Sequence, residues 1–273
     1  MTKTTKAKGQ ITWISGPVVK AAGISGTEMM EMVYVGHERL PGEVIRIGED
    51  DLTVQVYEET SGLKPGEPVE RLGYPLSAEL GPGLVGAIFD GIQRPLEKLA
   101  QLSGAFLDRG DEVFALDREK KWNIKIAVKK GDEVHAGQIL ATCEETPSLE
   151  HRILVPPKLS GTVVACEESR LFTVDEVLLK IEGSDGQKHD IRAFHRWPIK
   201  VGRPVFERLA PKEPLVTGER IIDTFFPLAK GGTAAIPGGF GTGKTMTQHA
   251  LAKWCDADLI VYIGCGERGN EMT

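Results

Sequence analysis

The chain has 273 residues, 41% hydrophobic and 26% charged, enough to build the cores of two domains or a little more. Lysine and arginine number 33 against 39 acidic residues, a formal charge of −6, and no concentrated basic stretch occurs, which argues against a sequence-independent grip on nucleic acid. No apolar run approaches the ~18 residues that a membrane-crossing helix needs, so any link to a membrane is expected to pass through other subunits.

The one basic cluster, Lys3, Lys6 and Lys8 in "MTKTTKAKGQ", lacks the apolar core of a targeting signal and reads as a solvated start. From Gln10 to about Leu76 short strands alternate with turn residues. "ITWI" and "PVVKA" flank a Ser15-Gly16 turn, and "EMVYV", "GEVIRI" and "DLTVQVYEE" follow closely. In the last of these, Leu52, Val54 and Val56 alternate with Thr53, Gln55 and Tyr57, the period of two expected when one face is buried. Residues 1–76 are therefore expected to form a small β-barrel. Residues 77–110 are a junction, with an apolar strand at Leu84 to Phe89 and a helix starting at Pro95. Asp90, closing that strand, reads as a turn aspartate rather than a magnesium ligand.

Residues 111–190 form a second β-rich region. "VKKGDEVHAGQILATCEE" and "ILVPPKLSGTVVACEES" resemble the paired hairpins of biotinyl and lipoyl carrier domains. Lys158 in "PPKLSG" lacks the frame of a modifiable carrier lysine, so a barrel-sandwich shape without the cofactor is expected. Cys143, Cys166, Cys255 and Cys265 include no Cys-x-x-Cys pair. The six histidines do not fall at ligand spacing around them, so they read as reduced thiols and not as a zinc site.

Residues 191–273 change character. "GTAAIPG" is expected to be a short buried strand. A helix is expected from Lys244 to Trp254, with Met246, Ala250 and Trp254 on one stripe, and "DADLIVYIG" a second buried strand. That order is one βαβ unit of a parallel α/β domain. Between first strand and helix lies "GGFGTGKT": Gly238, Gly239, Phe240, Gly241, Thr242, Gly243, Lys244 and Thr245. Glycines there let successive backbone N–H groups turn inward around phosphate oxygens at a helix N-terminus. Lys244 supplies a point charge for the β- and γ-phosphates, and the Thr245 hydroxyl can ligate magnesium. The loop is expected to bind a nucleoside triphosphate. Glu267 follows the second strand, where a carboxylate can activate a water aimed at the γ-phosphate or simply solvate a turn. Arg268 beside it can meet phosphate oxygens or pair with a carboxylate.

"TGERIIDTFFPLAKGGTAAIPGGFGTGKT" joined to "VYIGCGERGNE" resembles the catalytic A (alpha) subunit of V-type and archaeal-type rotary ATPases, as do "ISGPVV", "ELGPGLVGAIFDGIQRPL" and the β-rich insert. The resemblance covers nearly the whole chain. It implies that Gly238 to Thr245 bind ATP or ADP with Mg²⁺, that Glu267 activates the attacking water and that Arg268 lies near the γ-phosphate. It also implies an alternating hexameric ring with non-catalytic B-type subunits, central and peripheral stalk subunits, and indirect linkage to an ion-translocating membrane rotor sector. The place implied is the cytoplasmic face of a membrane. Relatives continue well past residue 273, so the chain is expected to be a front portion, incomplete in its nucleotide-binding domain and inactive alone. Two other readings stand beside this one: a hexameric P-loop translocase or secretion ATPase, which would lack the insert, and a non-catalytic nucleotide-holding subunit.

Overall fold

The computed structural model describes residues 8–104, 108–205 and 207–266. Lys3, Lys6, Glu267 and Arg268 lie outside them. Six strands, β1 (Lys8–Ser15), β2 (Val18–Ala22), β3 (Glu31–Val35), β4 (Leu40–Ile47), β5 (Asp51–Val56) and β6 (Pro68–Pro75), close an antiparallel barrel in the order β1-β2-β5-β4-β3-β6. The alternation in β5 is what it promised: Leu52, Val54 and Val56 are buried with Val19, Val33, Val35, Leu40 and Val69 in the barrel core. The Ser15-Gly16 turn exists, with Gly16 at φ +53°, a left-handed conformation that glycine adopts without strain.

Among the described residues, two carboxylates are buried in this barrel. Glu31, 2% exposed, accepts hydrogen bonds from Arg71 Nε and Nη2 (2.9 Å each) and from the amides of Gly73 (2.8 Å) and Glu28 (2.9 Å). Burial pushes its pKa up, but these donors outweigh burial and hold it below the usual carboxylate range. Glu43 accepts from the Tyr57 hydroxyl (2.9 Å) and, on both oxygens, from Lys200 Nζ (2.8 and 2.7 Å).

Beyond the barrel, β7 (Ser77–Leu80) leads into residues 82–86, which are turns and not the expected strand; only an isolated bridge joins Phe89 to Pro95. The reason is local. Gly83 and Gly86 take φ of +105° and +81°, and the Gly83 and Val85 amides donate to Glu145 Oε1 (2.7 and 3.3 Å) instead of to a ladder. Asp90 is the turn aspartate expected: its Oδ1 accepts from the Ile92 and Arg94 amides, and its Oδ2 pairs with Arg94 Nε at 2.7 Å. Helix α1 (Leu96–Ser103) follows Pro95.

The β-rich region holds eight strands among the described residues: β8 (Trp122–Ile126), β9 (Glu133–Val134), β10 (Ile139–Thr146), β11 (Leu149–Leu154), β12 (Gly161–Cys166), β13 (Arg170–Phe172), β14 (Val177–Gly183) and β15 (Lys188–Arg192). They form two four-stranded sheets, β11-β10-β8-β13 and β15-β14-β12-β9, the barrel-sandwich shape read from the hairpins. One core gathers Trp122, Ile124, Cys143, Phe172 and Leu178; the other gathers Leu140, Val155, Val163, Leu179 and Ile181. Lys158 sits in the turn between β11 and β12. All four cysteines are free, and burial, followed by the nearby Glu145 and Glu150 charges, pushes the Cys143 thiol up to about 11. Strand β16 (His195–Pro198) then pairs antiparallel with β7, so the sandwich leaves and rejoins the chain at one two-stranded stem.

Residues from Val205 onward form a separate unit. It contains β17 (Pro214–Leu215), helix α2 (Arg220–Phe225), β18 (Leu228–Ala229) and helix α3 (Lys244–Trp254). The helix expected after the glycine-rich loop is therefore present. The two apolar segments flanking it, 232–238 and 256–264, are not strands, and Val261 and Ile263 are 74% and 83% exposed. A parallel pair gains stability from neighbours on both edges and cover on both faces, and no described strand lies beside either segment. For the same reason the Met246 and Trp254 stripe stays exposed.

Candidate functional site

The loop 238–243 feeds straight into α3. Gly241 and Gly243 take φ of +76° and +82°, one on each side of Thr242, and Gly243 caps the helix. Left-handed residues spaced this way turn consecutive amides toward one concavity. No side chain caps α3 and its first turn carries no acidic residue, so nothing in the sequence competes for the N–H donors and the positive dipole end. Glycine is also required sterically at 238: a Cβ there would lie 2.4 Å from Thr242 Oγ1.

Two side chains fasten the loop from inside. Thr242 Oγ1 donates to the Gly239 carbonyl at 2.9 Å. Lys244 Nζ donates to the same carbonyl at 2.8 Å and to the Gly238 carbonyl. The lysine ammonium thus lies over the concavity where a polyphosphate would sit. Thr245 follows in the first helical turn, half-buried, and Phe240 stands 97% exposed at the tip. The structure brings all of Gly238, Gly239, Gly241, Thr242, Gly243, Lys244 and Thr245 into one turn. Glu267 and Arg268, the other two residues expected at this site, fall outside the described residues.

A brace behind the loop was not singled out from the sequence. Thr217, fully buried, donates through N (2.9 Å) and Oγ1 (2.7 Å) to Asp223 Oδ1, and the Gly218 amide donates to Oδ2 at 3.1 Å. The Thr217 hydroxyl, followed by the Thr217 and Gly218 amides, holds the Asp223 carboxyl below its usual range. Gly218, at φ +82°, lies so close to the last turn of α3 that a Cβ would be 3.0 Å from Trp254 Cβ. The Asp256 amide donates to the Val216 carbonyl (2.9 Å) and Lys230 pairs with Asp256 at 2.9 Å, tying the far end of α3 to the same segment. The retrievable signal was Asp223 six residues after the threonine of a Thr-Gly pair. His249 on α3 also meets Tyr262 edge-on, ring centroids 5.9 Å apart.

Three family models match the chain in succession: the beta-barrel domain of the ATP synthase alpha/beta family over residues 11–73, the ATP synthase alpha/beta subunit barrel-sandwich domain over 113–200, and the nucleotide-binding domain of the same family over 218–273. The chain belongs to the ATP synthase alpha/beta family. It is 56% identical over 266 residues to a V-type ATP synthase alpha chain of Halothermothrix orenii. It is 55% identical over 265 residues to the A (alpha-type) polypeptide of the A-type ATP synthase of Thermococcus kodakarensis, and equally so to that of a Desulfurococcus species. Each comparison covers 97% of this chain and 45% of the relative, so the chain spans somewhat less than half the length of these relatives. Membership of the alpha/beta family accords with both β-domains of the fold and places the glycine-rich loop in a nucleotide-binding domain.

Proposed function

We propose that this chain is the front part of a catalytic A (alpha) subunit of a V/A-type rotary ATPase or ATP synthase, with Gly238–Thr245 as its ATP or ADP site. The observation that carries the reading is the uncapped N-terminus of α3, approached by two left-handed glycines and overlain by the Lys244 ammonium. In that reading the loop amides bind the phosphate chain, and Lys244 exchanges its two carbonyl acceptors for phosphate oxygens. The residues also suit magnesium: Thr245, a hydroxyl at the first helical turn, would hold the ion. When bound, Mg²⁺ neutralises charge between the β- and γ-phosphates. Glu267 orients and deprotonates the attacking water, and Arg268 lies near the γ-phosphate.

The same reading assigns the partners. They are non-catalytic B-type subunits alternating in a hexameric ring, central and peripheral stalk subunits, and, through them, an H⁺- or Na⁺-conducting membrane rotor sector. The protein would work at the cytoplasmic face of that membrane. By itself the 273-residue chain is expected to turn over little ATP, because segments 232–238 and 256–264 lack paired neighbours around the loop. The test is Glu267→Gln in the assembled complex. The reading expects ATP binding retained and hydrolysis reduced by about 10²-fold or more, within the range for losing a positioned base. Unchanged hydrolysis would mark the site as a non-catalytic nucleotide holder.

A further inference from the structure

The chain leaves the sandwich through a strap, residues 195–204, whose fastenings are specific. The Ile199 amide donates to the Leu76 carbonyl (3.0 Å), Trp197 Nε1 donates to the Val201 carbonyl (2.7 Å), and Lys200 reaches Glu43 of the barrel. At its end, Arg203 Nη1 lies 3.0 Å from His195 Nε2, with the guanidinium 5.0 Å from the centroid of the Trp197 ring. Arginine has donors only, so His195 Nε2 accepts this bond and the imidazole is neutral with its proton on Nδ1.

The remaining charged groups around His195 belong to the base of the sandwich. His151 on β11 is close enough to act on it electrostatically, and His151 Nδ1 lies 3.3 Å from Glu145 Oε2 on β10. The Glu145 side chain is 2% exposed. Its Oε1 holds the Gly83 and Val85 amides, while its Oε2 has no hydrogen-bond donor in good geometry. Strands β10, β11 and β16, the 83–85 turn and the strap therefore meet at one carboxylate, two imidazoles and one guanidinium.

We propose that this cluster is a proton-operated latch: protonation of His195 removes the acceptor that holds Arg203, sets two cations side by side, and frees the end of the strap. This inference is independent of the nucleotide site. Burial, then the Arg203 charge, then His151, push His195 down from 6.5 to about 4 in the closed latch. Once the strap opens, the imidazole returns toward its ordinary value and takes up a proton. Linkage between those two values raises the opening equilibrium about 30-fold between pH 7.5 and pH 5.0. Burial also lowers the pKa of His151, and the Glu145 charge opposes that shift only in part, so His151 favours opening in the same direction. Residue 205, which begins the second unit, follows the strap directly.

The test is amide exchange of residues 196–204 in the full chain, corrected for intrinsic pH dependence, in wild type and in His195→Gln. Glutamine keeps an acceptor for Arg203 and cannot be charged. The latch predicts exchange rising about 30-fold in wild type from pH 7.5 to 5.0, and less than about 3-fold in the variant, too small for a histidine titration to account for. A flat wild-type profile, or an equal rise in His195→Gln, overturns it. Should His195→Gln not fold, Arg203→Gln decides by NMR titration of His195. Its midpoint must rise toward 6.5 when the neighbouring cation is gone, and an unmoved midpoint refutes the latch.

Discussion

Replacing Arg71 with leucine strands a carboxylate inside the barrel. Glu31 is 2% exposed, and two of its four donors are the Arg71 nitrogens at 2.9 Å; the others are the Gly73 and Glu28 amides. Removing one partner of a buried ion pair costs about 3–5 kcal/mol, because the remaining charge keeps its desolvation penalty without its counter-charge. The two amides survive in the variant, which places Arg71→Leu near the lower end, about 3 kcal/mol. The buried pair itself contributes much less than that, since its attraction largely offsets the desolvation of both groups. Adding Glu31→Gln, which keeps an acceptor for the amides and removes the charge, is therefore expected to recover at least half of the loss. The assay is amide exchange at Val33, Val35 and Val69, all fully buried in the barrel strands, converted to an opening free energy for each variant. A single-variant loss below about 1 kcal/mol, the size of an exposed pair, would refute the argument. So would a double variant no more stable than Arg71→Leu alone.

Phe172→Ala empties the most buried aromatic site of the sandwich. It is expected to cost about 3–5 kcal/mol there while leaving protection of the barrel amides unchanged. Gly110→Ala should destabilise the junction by more than about 2 kcal/mol, since φ is +75° and a Cβ would lie 1.9 Å from the Glu38 carbonyl oxygen; wild-type melting behaviour in that variant would contradict the placement. Acid should act in two stages. His195 has a depressed pKa, so its contribution is complete above 6.5 and is lost as pH falls toward about 4. Glu31 is also depressed, so its contribution is complete above its ordinary value of 4.5 and disappears only below it. Circular dichroism and exchange followed from about pH 7 to about pH 3 should show the stem loosening before the barrel; the reverse order would contradict both assignments.

What could be read from the residues was what local periodicity encodes. Leu52, Val54 and Val56 marked the barrel's inward face, the glycines of the loop marked the turn into α3, and Asp90 marked a turn. What could not be read depends on partners far along the chain. The strand expected at Leu84 to Phe89 is a turn because Glu145, some 60 residues later, takes its amides. Glu43 is buried because Lys200, 157 residues on, meets it. Apolar runs such as "LIVYIG" announce burial but not what buries them, and here their side chains are exposed. Within the site, the glycines, Lys244 and Thr245 were legible from spacing alone. The Thr217–Asp223 brace was not, because its hydrogen bonds answer to the approach of α3 rather than to a pattern in the sequence.

The most direct measurement of the central claim is calorimetric titration of the assembled complex with Mg·ATP, comparing wild type with Lys244→Ala combined with Thr245→Ala. Loss of a charge-assisted phosphate contact together with a magnesium ligand should weaken binding by about 10²-fold or more. Equal affinity in the two proteins, or no binding in the wild type, would contradict the assignment of this loop as the nucleotide site.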